Sequence, residues 1–166
     1  MSQTKQLYKV TLAVYVLFLA WLVLFKTSTD FLSVLADYNS RSLNLIPFWG
    51  YSAGTAREMI DNLVVFVPLG VLLAMNYKAT SFWKKLVYVL TFSVSVELLQ
   101  YLFAIGTTDV TDVIMNTAGG LLGLGAYGLV GRHTDNKKLD LCISIILTFL
   151  LVVFMLLRFL VFRVRY

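Results

Sequence analysis

The stretch from Glu97 to Gly125 reads ELLQYLFAIGTTDVTDVIMNTAGGLLGLG. A carboxylate and an amide close one apolar run, two carboxylates occupy the turn that follows, and an amide with a cluster of glycines opens the next apolar run. Two long apolar runs joined by so short a polar turn are expected to be helices that cross a bilayer and return, because a span needs about 20 apolar residues. Ionisable groups at the ends of such helices are costly to keep there and are functional candidates by default.

The rest of the chain has the same character. Hydrophobic residues make up 59% of its 166 positions and charged residues 14%, with a mean hydropathy of +0.81. Polar surface that scarce cannot clothe a water-soluble domain, so the chain is expected to be an integral membrane protein. The net charge of +5 does not signal nucleic acid, since the basic residues flank apolar runs and form no reader motif. Cys142 stands alone within an apolar run, which excludes an internal disulfide and a cysteine metal site.

Hydropathy predicts an all-α, polytopic helical bundle forming a single transmembrane domain over residues 1–166, with spans at about 8–25, 56–77, 81–105, 109–130 and 139–162. Between the first two spans lies a long connection with an expected short helix from Asp30 to Asp37. After it come Arg41, Asn44, Pro47, Phe48, Trp49 and Tyr51, and amphipathic aromatics of this kind settle at headgroup level. Thr55 and Glu58 have the spacing of a capping box, which puts the start of the second span near Ala56. Asp61 and Asn62 follow within about a turn, and Pro68 should kink the same helix. Trp83, Lys84 and Lys85 anchor one end of the third span, and Glu97 and Gln100 share a face near its other end. In the fourth span Gly119 and Gly123 make a small-xxx-small pair, flanked by Gly120, Gly125 and Gly128, which admits another helix backbone.

With the N-terminus cytoplasmic and the C-terminus outside, eight of the 14 Lys and Arg residues lie inside and six outside, and the turn after Glu97 has none. That orientation fits the positive-inside rule. It brings Arg41, Asn44, Asp61, Asn62, Glu97, Gln100, Asp109, Asp112 and Asn116 to one outer leaflet from four segments. Glu97 would lie on the order of 12 Å below the surface, where a carboxylate needs a partner, and Arg41 can offer two hydrogen bonds. Structural roles stand beside these. Asp109 reads equally as a helix N-cap and Asp112 as its first-turn acid, Gln100 and Asn116 as interhelical hydrogen-bond donors, and His133 as a solvated turn residue. A divalent cation at Asp109 and Asp112 suits the oxygen donors, although no dedicated cation loop is present. Glu97 and the aspartates could also serve as acid and base in a membrane enzyme, yet no Ser/His or Cys/His arrangement supports one.

In order and spacing, four elements together resemble the VanZ-like membrane protein family. They are Arg41 with Asn44-Leu45-Ile46-Pro47-Phe48; Asp61-Asn62 through Pro68-Leu69-Gly70; Glu97-Leu98-Leu99-Gln100; and Asp109-Val110-Thr111-Asp112 through Asn116 to Gly119-Gly120. Some members carry an arginine before the Asp-x-x-Asp element, where this chain has Thr107 and Thr108. The resemblance implies a multi-pass protein of the cell membrane in Gram-positive bacteria that lowers susceptibility to teicoplanin or related glycopeptide antibiotics. Its expected partners are membrane lipids and an amphipathic ligand, either a lipoglycopeptide or a lipid-linked cell-wall precursor. In that picture Arg41 meets an anionic group, Glu97 pairs with Arg41 or a ligand donor, Asp109 and Asp112 hold sugar hydroxyls or a cation, and Asn62, Gln100 and Asn116 fix orientation. A small transporter or flippase and a structural scaffold are the other classes, the former weakened by the lack of an inverted repeat.

Overall fold

Five helices account for most of the computed structural model, which describes residues 3–24, 42–50, 52–104, 107–132 and 136–164. They are α1 (Gln3–Leu24), α2 (Ala53–Asn76), α3 (Phe82–Phe103), α4 (Val110–Val130) and α5 (Asn136–Val164), and each is long and apolar enough to cross a membrane. Much of their surface is apolar and outward-facing, including Leu17, Leu98, Leu122 and Phe149, as lipid requires and water would not tolerate. The expected helix at Asp30 to Asp37, Arg41 and His133 lie outside the described residues.

Two expectations are corrected, the first at a helix start. α2 begins at Ala53, capped by Ser52, and Thr55 is the reciprocating residue of that box instead of the cap. The Thr55 N–H donates to Ser52 Oγ at 3.2 Å and the Ser52 N–H donates to Thr55 Oγ1 at 2.6 Å. Ser52 offers the same hydroxyl geometry three residues earlier, so the helix gains most of a turn and Glu58 is not needed to close it. α2 then continues through Pro68 to Asn76. Proline withholds an amide from Val64, and beside that position the Tyr15 hydroxyl of α1 donates to Val65 O at 2.6 Å.

The second correction is a small sheet where only loop was expected. Ser42–Asn44 (β1) and Thr107–Asp109 (β2) pair in parallel, with Ser42 opposite Thr107 and Asn44 opposite Asp109. The polar connection between α1 and α2 is thereby fastened to the turn between α3 and α4.

At the centre, α2 and α4 run parallel with their backbones in contact. A Cβ on Gly119 would strike the carbonyl of Leu63, one on Gly123 the carbonyl of Val67, and one on Gly70 the carbonyl of Gly120. Gly120 instead faces the side chain of Val89 on α3. Nothing lies within 4 Å of Cβ positions on Gly125 or Gly128, so the close approach is confined to one stripe. Around the seam Phe66, Leu72, Val89, Val96 and Leu124 form the core, and Leu19 and Val23 of α1 close it.

Candidate functional site

The short sheet gathers polar side chains from three segments at one end of the bundle. Asp109 caps α4, its Oδ1 accepting from the Thr111 N–H at 2.7 Å, which holds the carboxylate at the helix N-terminus where the dipole favours it. Its Oδ2 accepts from Asn44 Nδ2 at 3.0 Å. Asn44 Oδ1 in turn accepts from the Ile46 N–H at 3.1 Å, an Asx turn that bends the chain out of β1. Glu97, 4% exposed and six residues before the end of α3, accepts the Asp109 N–H through Oε2 at 3.1 Å. The Thr108 hydroxyl donates to the Glu97 carbonyl at 3.3 Å. Two carboxylates and an amide are thus fixed by main-chain groups on three elements, a rigid arrangement that presents oxygen acceptors together.

The segment after Asn44 has the opposite chemistry. Leu45, Ile46, Phe48 and Trp49 are all exposed. Phe48 holds a left-handed backbone, φ 59°, which is uncommon for a bulky residue. Its N–H donates to Thr111 Oγ1 at 3.0 Å, so the strained turn is tied to the first turn of α4.

Below this end, buried amides follow the helix seams. Gln100 Nε2 donates to the carbonyl of Val23 at 3.0 Å, joining α3 to α1, and Asn116 Nδ2 donates to Ser93 Oγ at 2.9 Å, joining α4 to α3. Both therefore make the interhelical bonds that were one of their two readings. Each still has an acceptor oxygen without a partner among the described residues, Gln100 Oε1 and Asn116 Oδ1, and the donor Asn62 Nδ2 on α2 is likewise without one. An unpaired buried polar atom costs about 1–3 kcal/mol, which favours a water or a ligand hydroxyl at such positions.

The remaining candidates are placed differently. Asp61 is turned outward, its side chain 62% exposed and 3.9 Å from Arg57 in an i,i+4 pair, apart from the Glu97 and Asp109 group. Asp112 occupies the first turn of α4. Arg41 immediately precedes Ser42, which pairs with Thr107, but itself lies outside the described residues. Among the described residues no three His, Cys, Asp or Glu side chains cluster as metal ligands. Each Asp109 carboxylate oxygen accepts one hydrogen bond, from Asn44 or from Thr111.

A second polar group, not singled out from the sequence, lies at the other end. Asp140 of α5 is buried, accepting from Tyr127 Oη at 2.6 Å and from Lys78 Nζ at 2.5 Å. Burial disfavours the Lys78 ammonium, but its bonds to Asp140 and Tyr127 outweigh this, so its pKa lies above the ordinary lysine value. A lone acid at the start of a strongly apolar helix was the available signal. Ser93, Thr108 and Thr111 were also missed; for Ser93 the helical spacing to Glu97 and Gln100 on α3 already placed it on their face.

A family model described as VanZ/LLP1 matches residues 12–131 of the chain. Protein VanZ of Enterococcus faecium is 49% identical over 146 residues, covering 86% of this chain and 89% of that protein. No solved structure matches.

Proposed function

The chain belongs to the VanZ/LLP1 family, and from that premise we propose that it lowers susceptibility to teicoplanin or a related lipoglycopeptide by recognising an amphipathic ligand at the outer leaflet. The observation that carries this reading is the division of one short segment: Asn44 joins the carboxylate group while Leu45, Ile46, Phe48 and Trp49 project from it. A ligand with a polar head and a lipid tail meets matching chemistry on both sides of that division. Either the antibiotic or a lipid-linked envelope precursor has this character.

In this proposal Glu97 and Asp109 accept hydrogen bonds from ligand hydroxyl or amino groups, and Asp112 extends the acceptor set. Arg41 contacts an anionic group of the ligand or pairs with Glu97. The unpaired ends of Asn62, Gln100 and Asn116 receive water or hydroxyls drawn into the seam. The N-terminus is cytoplasmic and the C-terminus outside, as the Lys and Arg distribution favours.

Teicoplanin susceptibility in a sensitive Gram-positive host tests the reading. Wild type should protect, and Arg41→Ala, Glu97→Gln and Trp49→Ser should lose protection at matched membrane levels. Absence of protection by well-expressed wild type would remove the proposal, and full protection by all three variants would remove the site. Orientation has a separate test in a Thr107→Cys, Cys142→Ser double variant, whose new thiol should react with an impermeant reagent on intact cells. Labelling only after lysis would reverse the topology.

A further inference from the structure

A cleft of about 340 Å³ opens at the Lys78 end of the bundle, remote from Glu97 and Asp109. Leu12 and Val16 of α1, Leu69 and Leu73 of α2, and Tyr88 and Phe92 of α3 form its walls, and Tyr77 stands at its mouth against Tyr88 with ring centroids 6.4 Å apart. The six wall residues lie between three and 13 positions from the ends of their helices at this side. At 1.5 Å per residue the cleft therefore runs from roughly 5 to roughly 20 Å below those ends. That is the depth occupied by the acyl chains of one leaflet, half of a core about 30 Å thick.

The walls are apolar, and the rim is basic. Lys84 and Lys85 precede Tyr88 by four and three residues, and Lys5 precedes Leu12 by seven, so each continues a stripe of the cleft toward the headgroup level. Lys85 is 9% exposed, and no described residue pairs with its ammonium. Asp140, the described acid at this end, is already held by Lys78 and Tyr127. A zwitterionic lipid would fill the cleft, but its own ammonium competes for the phosphate, whereas an anionic head leaves the phosphate charge to the buried lysine.

We propose that this cleft binds one acyl chain of an anionic phospholipid from the leaflet on the N-terminal side, with the lipid phosphate against Lys84 and Lys85. The apolar walls hold the chain and the lysines select the head. The site is independent of the proposed outer-leaflet ligand, since it shares no residue with that group and sits at the opposite end of the helices.

Native mass spectrometry of the purified full-length protein, offered phosphatidylglycerol and phosphatidylcholine in equal amounts, tests it. Wild type should retain phosphatidylglycerol preferentially, and Lys84→Gln with Lys85→Gln should reduce that preference by about fivefold per lysine, the effect of one basic residue at an anionic surface. Leu73→Trp, which fills the cleft, should lower retention of both lipids. Equal retention of the two lipids by wild type overturns the proposal, as does an undiminished preference in the double variant or unchanged retention in Leu73→Trp. Should the double variant fail to fold, the wild-type comparison decides alone.

Discussion

The two ends of the bundle hold their acids in different ways. At one end Asp140 meets a lysine ammonium and a phenol. At the other Asp109 meets only uncharged donors among the described residues, the Asn44 amide and the Thr111 N–H. The first arrangement completes itself and fastens α5 to the bundle beside α4. The second holds its carboxylate with neutral donors beside an exposed apolar segment. A buried pair with its counter-charge is weak support for anything beyond structure, whereas a carboxylate held by neutral groups retains something to offer a ligand.

The contrast can be strained hardest at the seam that joins the two ends. Gly123→Ala places a methyl on the Val67 carbonyl, and neither backbone can yield without separating α2 from α4. A loss of at least about 2–3 kcal/mol is expected, in the range of overpacked cores, and thermal denaturation in detergent should show both ends failing together. Gly125→Ala in the same helix meets nothing and should be neutral or slightly stabilising.

Asp140→Asn separates the ends. It keeps the shape but removes the charge facing Lys78, and a destabilisation of about 1–2 kcal/mol is expected for a charged hydrogen bond whose lysine is half exposed. Protection against teicoplanin should survive in a host that maintains the protein's level; its loss would mean that the Lys78 end shares in function. Asn44→Ala should act in the reverse sense, costing about 1 kcal/mol or less in melting experiments while abolishing protection. Retained protection would leave the Asp109 end with a structural role alone.

The smallest effect is a pH dependence. Because the folded pKa of Lys78 is raised, its contribution is fully present below the unfolded value of about 10.4 and is lost as pH rises through the higher folded value. The stability difference between wild type and Lys78→Gln should be flat through neutral pH and shrink only above about pH 10.4, whereas a difference that changes near neutrality would assign the linkage to another group.

Hydropathy alone made the spans legible, because each helix must satisfy its own backbone in lipid and so announces itself as a long apolar run. The close packing of Gly119 and Gly123 was legible for a related reason, since four-residue spacing repeats on one helix face. Asp109 was read as both cap and site, and it caps α4 while facing Asn44. The sheet was not legible: three-residue strands carry almost no periodic signal, and their partners lie 65 positions apart. Nor could sequence assign Asp61, which shares a motif with Asn62, yet the helix turns one outward and the other into the core. The Asp140 group escaped because its three members come from one turn and two helices with no common spacing.

The parallel pairing of β1 with β2 also bears on how chains of this kind can change length over time. Side chains alternate faces along a strand, so one residue inserted within β1, between Ser42 and Asn44, would turn the Asn44 side chain to the other face and break its bond to Asp109, while the cap of α4, made between neighbours in sequence, would stay. Insertion of two would restore the alternation but carry Asn44 out of register with Asp109. The step from Ser42 to Asn44 is therefore expected to be held to fixed length by descent, and a relative with a single-residue insertion there would need a compensating change in β2 to keep the same bond.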